Sequence, residues 1–381
     1  MKEKIGLLLT GIMLCSLAAC APQSSGNESG ASATKEATSA TEVVTASEAV
    51  TDTQVQASDV RFTAQMKSDI DSLMTENAFE GSAVLTHNGE AVWQYANGKA
   101  LNGESITVDT PLPIGSVSKQ FCAAAIMKLR DGGKLSVDDT LDKYFPEYRE
   151  GKKLTVRNLL TMRSGISDIV NSGPIDTVSP SNTYGDNRTA VQKAIFDLAL
   201  VFEPDTRFEY SNSNYILLSA VVEKISGQTY DAYLRSAFFE PLGMNATGSV
   251  DEFSGAVPSW AGGIDYSDIV GLATGAGDII STASDMTKWL NGLKDGKVLS
   301  PESFREMTTD YSSDSANAYG YGFMLDDKNG VGHPGNILVA ETPYAAYDYL
   351  SEEYGYSLII EGSDCMDVLS LGTGILNVIY Q

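Results

Sequence analysis

Ser116-Val117-Ser118-Lys119 follows Pro113-Ile114-Gly115 and opens a run with helical spacing of apolar residues. Residues i and i+3 of a helix share a face, with Cβ atoms about 5–6 Å apart, so the Lys119 amine can reach the Ser116 hydroxyl. A serine attacks a carbonyl only when a base takes its proton. A lysine amine is such a base where burial or neighbouring cations bring its pKa toward neutrality. The helix start also offers the Ser116 backbone N–H to a developing oxyanion. Taken alone, this spacing reads more simply as a helix N-cap followed by a solvated lysine.

Two further segments could complete a site. Tyr210-Ser211-Asn212 precedes a helical pattern at Asn214–Ile225. A tyrosine there can pass a proton between the lysine and a leaving group, and the Asn212 amide can hold a substrate amide. Gly332-His333-Pro334-Gly335 follows a strand-like run, Tyr321–Leu325, and a turn at Asp327–Gly330. It can set a polar side chain and a glycine-flanked backbone against a ligand, although a histidine in a Gly/Pro turn is by itself more often a surface residue.

The elements that must position these residues read as an α+β fold. Phe62, Met66, Ile70 and Leu73 recur at helical spacing, and strands at Ser82–Thr86 and Ala91–Ala96 flank Asn88-Gly89, a strong hairpin signal. Helical patterns follow at Phe121–Arg130, Val156–Met162 and Asn214–Ile225, with a polar surface loop over 171–190. Another helix is expected at Ala283–Leu293, then strands at Tyr344–Tyr349 and Tyr356–Ile360 and a last helix from Met366. The reading is an antiparallel sheet flanked by helices, built from both ends of the chain, with a mainly helical subdomain inserted at about 121–264.

Composition narrows the function. The 381 residues carry a formal charge of −24, which excludes a nucleic-acid partner and repels an anionic membrane surface. His87 and His333 are the two histidines, too few for a histidine-rich metal site, and no Gly-x-Ser-x-Gly elbow of an α/β-hydrolase occurs.

At the N-terminus Lys2 and Lys4 precede an apolar run, Ile5 to Leu14, that is too short to span a bilayer and reads as a signal peptide over residues 1–19. Leu17-Ala18-Ala19-Cys20 resembles the bacterial lipobox, whose cysteine is acylated. Residues 20–58 are then a lipidated cysteine and a disordered Ser/Thr/Ala/Glu/Gly tether, and 59–381 the folded domain. The expected location is extracytoplasmic, with the membrane as a partner through the lipid on Cys20. Cys122 and Cys365 remain as separate thiols or one bridge.

The order Ser-x-x-Lys, Tyr-Ser-Asn, His-x-Gly resembles the serine β-lactamase and DD-peptidase superfamily, in the branch of class C β-lactamases, DD-carboxypeptidases, D-aminopeptidases and esterases. Leu159–Ile166 is similar to that family's Leu-Leu-x-His-x-Ser-Gly-Leu, Pro241–Met244 to its Pro-Leu-Gly-Met, and Ser281–Met286 to its Ser-Thr-Ala-x-Asp-Met. The resemblance runs from about Arg61 to Gln381. It implies a monomer without metal or organic cofactor, acting on small molecules or cell-wall peptides. By the same resemblance Ser116 is the nucleophile, Lys119 its base and Tyr210 the acid that protonates the leaving group. The backbone N–H groups of Ser116 and of Asn336, after Gly335, would form the oxyanion hole, and Asn212 and His333 would orient substrate. A non-turnover penicillin-binding sensor or an inactive cell-wall-binding protein is the alternative.

Two positions depart from the family pattern. Pro334 stands where Thr or Ser is usual, offering neither hydroxyl nor N–H, and Met162 stands at the usual histidine. Weak binding of carboxylate substrates is therefore expected, improving below about pH 6.5 if His333 gains charge there.

Overall fold

The computed structural model describes residues 61–100, 103–172, 184–249, 271–315, 318–339, 342–362 and 365–381. The signal segment, Cys20 and the polar stretch after it lie outside the described residues, as does the expected end of the helical insertion near 264.

Helix α1 (Ala64–Glu76) starts where the Thr63 hydroxyl accepts the Met66 N–H at 3.1 Å. Strands β1 (Gly81–His87) and β2 (Glu90–Asn97) form the expected hairpin, with Asn88 and Gly89 both at positive φ as a tight primed turn requires. Strand β3 (Leu112–Pro113) leads through a 3₁₀ turn at Gly115–Val117 into α2 (Ser118–Asp131). Helices α3 (Val156–Leu160), α4 (Tyr184–Phe196) and α5 (Asn212–Ser226) follow, then β4 (Gly248–Ser249), β5 (Ile279–Ser281) and α6 (Ala283–Lys294). The chain ends with β6 (Ala318–Tyr319), β7 (Met324–Leu325), β8 (Val331–Val339), β9 (Thr342–Ser351), β10 (Tyr356–Gly362) and α7 (Cys365–Ile379).

The main sheet is antiparallel, in the order β2-β1-β10-β9-β8-β7-β6, so strands from both ends of the chain meet where β1 pairs with β10. The α+β expectation is met. Alternation along the strands separates two cores: Val84, Ile359, Ala346 and Leu350 face the helical region, while Ala83, Leu85, Leu358 and Ile360 face α1 and α7. Helix α2 lies inside the first core and is buried on every side from Ser118 to Met127, with Ala123, Ala124 and Ala125 allowing close approach of its neighbours. Short strands β3, β5 and β4 make a second sheet beside its start.

The family-like segments act as joints. Within Pro241–Met244, Gly243 ends the short helix Glu240–Leu242 in a left-handed cap. The Asp285 carboxylate at the start of α6 then accepts the Ala246 N–H at 2.8 Å and the Thr247 hydroxyl at 3.0 Å. Thr282 caps the same helix through the Asp285 N–H.

Three expectations change in detail. The run Tyr321–Leu325 pairs only at Met324–Leu325, because Gly322 turns at φ +75° and presses against α2, where a Cβ would fall 2.8 Å from the Lys119 carbonyl oxygen. The 171–190 stretch gives way to α4 from Tyr184, and its residues 173–183 lie outside the described residues. Gly332–Gly335 is part of strand β8 rather than a turn. Cys122 is a buried free thiol and takes part in no disulfide.

Candidate active site

Ser116 occupies the 3₁₀ turn that feeds α2, and Lys119 sits one turn on with no exposed surface. The Lys119 Nζ lies 2.9 Å from Ser116 Oγ, 2.8 Å from Asn212 Oδ1 and 2.6 Å from the Ala276 carbonyl oxygen. Burial lowers its pKa to about 7 against the opposing charges of Asp168 and Asp278. The three contacts decide what loss of a proton does. Ala276 O can only accept, and Asn212 Oδ1 faces the amine because Asn212 Nδ2 donates to Asp168 Oδ2 at 2.9 Å. A neutral amine therefore keeps its two hydrogens on these acceptors and turns its lone pair to the Ser116 hydroxyl.

Tyr210 is delivered by the segment leading into α5, and its hydroxyl donates to Ser116 Oγ at 3.0 Å. Burial raises its pKa, so the phenol stays protonated through neutral pH, and the Lys119 amine lies 4.9 Å from the ring centre. The junction is fixed from below by fully buried Asn214. Its Nδ2 donates to the Ser211 carbonyl at 3.1 Å and to Met162 Sδ at 3.3 Å, and its Oδ1 accepts from Ser164 at 2.5 Å. Met162 thus takes a place in this small polar cluster, held at φ +59°. Ser211 is the N-cap of α5 by position, yet its hydroxyl makes no capping bond.

Strand β8 closes the other side. Of strand β8, Val331 and Gly332 pair with β7, and the Gly115–Ser116 turn packs where β8 continues. A Cβ on Gly335 would lie 1.9 Å from the Ile114 carbonyl oxygen and 3.0 Å from Ser116 N, and one on Gly115 would lie 2.9 Å from Asn336 N. The two glycines thus bring the backbone N–H groups of Ser116 and Asn336 to one place, while the Asn336 side chain is exposed.

His333 is buried to 1% exposure, in the same strand. Its Nδ1 lies 2.6 Å from the Pro334 carbonyl, which can only accept, so the proton is on Nδ1. Nε2 is then a bare acceptor without a partner among the described residues, near Tyr210 and Tyr319. Burial and the Lys119 charge lower its pKa to about 3. This corrects the expectation that His333 gains charge near pH 6.5, because burial strips water from the ring and the Lys119 charge opposes a second cation, with only the bond to the Pro334 carbonyl acting the other way. The Asn212 reading also changes, since both ends of its amide are engaged with Lys119 and Asp168.

Asp168, the Ala276 carbonyl and Asp348 belong to the site's surroundings and were not singled out by spacing. Asp168 accepts from Val170 N, Asn171 N and Nδ2, and Asn212. Among the described residues there is no group of acidic, histidine or cysteine side chains able to hold a metal ion.

Residues 66–356 match the Beta-lactamase family model. The chain belongs to the beta-lactamase family. It is 29% identical over 338 residues to PbpX of Bacillus subtilis, named as a candidate penicillin-binding protein, covering 84% of this chain and 79% of that one. It is 24% identical to protein flp of Staphylococcus aureus over 79% of this chain, spanning 64% of the length of flp, short of two thirds. Among solved structures, the D-amino acid amidase of Ochrobactrum anthropi superposes with a TM-score of 0.68 at 24% identity, covering 83% of this chain and 99% of that one. The octameric penicillin-binding protein homologue of Pyrococcus abyssi gives 0.64 at 25% identity, with 81% and 77% covered. The beta-lactamase-like fold and serine hydrolase lineage of this chain rest on these likenesses together with the family match.

Proposed function

We propose that this beta-lactamase family member hydrolyses small amides or esters through an acyl-enzyme on Ser116. The carrying observation is the pair of contacts at Ser116 Oγ, with the Lys119 amine at 2.9 Å and the Tyr210 hydroxyl at 3.0 Å. Neutral Lys119 takes the Ser116 proton as Oγ attacks the carbonyl carbon, and the Ser116 and Asn336 N–H groups receive the developing oxyanion. Tyr210 gives its proton to the leaving nitrogen or oxygen and is reprotonated from Lys119. Water then attacks the acyl carbon, losing its proton to the same pair, and Ser116 leaves with that proton.

The names of the relatives, D-amino acid amidase and penicillin-binding protein, support amide carbonyls of D-amino acid derivatives and cell-wall peptides as the substrate class. Intact mass of the protein after exposure to a penicillin, a D-Ala-D-Ala peptide and a short-chain ester tests the reading, with Ser116→Ala alongside. An adduct or turnover that depends on Ser116 is expected, and equal reaction in Ser116→Ala overturns it. One stoichiometric acylation without turnover assigns the protein as a sensor.

We further propose a lipid anchor at Cys20 and an extracytoplasmic location, supported by Lys2, Lys4, the Ile5–Leu14 run and Leu17-Ala18-Ala19-Cys20. Cys20→Ala should leave the membrane fraction or fail to mature, and unchanged processing and retention would overturn the anchor.

A further inference from the structure

Asp348 on β9 stands directly across from His333 on β8, and it is fully buried with no cation bonded to it among the described residues. Its Oδ1 accepts the His333 backbone N–H at 2.8 Å. The same carboxylate accepts Gln120 Nε2, at 2.8 Å and 2.7 Å from its two oxygens. The Gln120 amide is oriented by Trp289 of α6, whose Nε1 donates to Gln120 Oε1 at 3.0 Å and can do nothing else. Gln120 is the residue after Lys119, within the first turn of α2. His333 lies three residues before Asn336. One carboxylate thus bonds both to the helix that carries Lys119 and continues directly from the Ser116 turn, and to the strand that carries the Asn336 N–H.

A buried carboxylate without a cation is expensive, and an apolar side chain would fill this sheet face at lower cost. Its use here is geometric. Oxyanion stabilisation requires two donors at a fixed separation, and here they come from elements far apart in sequence. We propose that Asp348 is a positioning residue that, through Gln120 and the His333 amide, sets the spacing between the Ser116 and Asn336 N–H donors. This rests on the reading of Ser116 as nucleophile and Asn336 as oxyanion donor.

The test is kcat and KM for a neutral p-nitrophenyl ester, with Ser116→Ala measured in parallel. Burial raises the Asp348 carboxyl to about 7, so assays run at pH 8. Asp348→Asn places an amide N–H against Gln120 Nε2, donor to donor. It should lower kcat on the order of 30-fold or more with KM nearly unchanged, since a misplaced oxyanion donor acts on the transition state. Adding Gln120→Glu reverses that clash: the new carboxylate accepts from the amide at 348 and from Trp289, and the amide oxygen still accepts from His333. The double variant should regain most of the lost kcat. A purely structural role predicts that the two changes add. The inference is overturned by kcat of Asp348→Asn within about threefold of wild type, or by a double variant no faster than Asp348→Asn. Ester hydrolysis surviving in Ser116→Ala overturns the underlying reading instead, and the two failures are thereby distinguished.

Discussion

Lys119 and Asp168 are joined through a single side-chain amide, with Asn212 Oδ1 accepting from the amine at 2.8 Å and Asn212 Nδ2 donating to the carboxylate at 2.9 Å. The linkage fixes the orientation of the amide and places a negative charge near the proposed base. Burial drives the Lys119 pKa down to about 7, and Asp168 opposes that fall. As base, Lys119 must be neutral, so kcat/KM for a neutral ester should rise with pH through an apparent pKa near 7 that belongs to the coupled Lys119–Tyr210 site. Asp168→Asn removes the charge that favours the ammonium form. The rising limb should therefore move to lower pH, on the order of half a unit to one unit. A limb that stays in place or moves up contradicts the assigned coupling.

His333 and Pro334 together set an expectation for substrate charge. A neutral imidazole with its proton tied to the Pro334 carbonyl, beside a residue without hydroxyl or N–H, gives a substrate carboxylate no charge-assisted donor from this stretch. Such bonds are worth about 1.5–3 kcal/mol each. Neutral esters or amides should be hydrolysed with higher kcat/KM than penicillins. Because His333 stays neutral far below pH 6.5, activity toward carboxylate substrates should fall on acidification with the Lys119 limb. Pro334→Thr should strengthen penicillin acylation. Comparison of the two substrates at pH 6 and pH 8, in wild type and Pro334→Thr, checks all three outcomes, and a tenfold wild-type preference for the penicillin refutes the first.

Much of this was legible in the residues. The Ser116–Lys119 spacing needs only helical geometry, and the β1–β2 hairpin only Asn88-Gly89, because both signals are local. What escaped was set by tertiary contact. Asp168 and the Ala276 carbonyl reach Lys119 from segments with no periodic relation to it. Asp348 reads as an ordinary strand residue until β8 and β9 are paired. The run from Tyr321 looks like a strand by composition, but Gly322 turns it aside to let the backbone pass close to α2. The His333 titration shift was invisible for the same reason, since a pKa depends on burial that a Gly/Pro-rich segment does not advertise.

Gly335 allows strand β8 to touch the Ser116 turn, and the effect of losing that contact is measurable. A Cβ there would lie 1.9 Å from the Ile114 carbonyl oxygen, so backbone must move. Gly335→Ala should lower kcat about 100-fold, as expected for loss of an oxyanion donor, and cost about 1–3 kcal/mol of stability from overpacking. Gly132→Ala is the control, because a Cβ there meets its nearest atoms at 3.5 Å without strain, and both quantities should stay near wild type. Equal behaviour of the two variants would show that the close approach of β8 is dispensable.

Glu361 offers a test of stability that is separate from the site. It lies on β10 across from Ser82, fully buried, and neither carboxylate oxygen has a hydrogen-bond partner among the described residues. Burial, with the nearby Asp285 charge, raises its pKa well above the ordinary value. A raised carboxyl pKa means that the folded state holds the proton more tightly than the unfolded chain does. Its effect on stability is absent below the unfolded pKa of about 4.3 and grows unfavourable as pH rises above it toward the folded value. Glu361→Gln has no such titration. Its stability relative to wild type should therefore increase between pH 5 and pH 8, by about 1.4 kcal/mol for each pH unit over which only the folded state keeps the proton. Thermal or urea unfolding of both proteins at the two pH values gives the difference directly. A stability gap that is constant with pH, or that favours wild type more at pH 8, would mean that Glu361 is not held as a neutral acid.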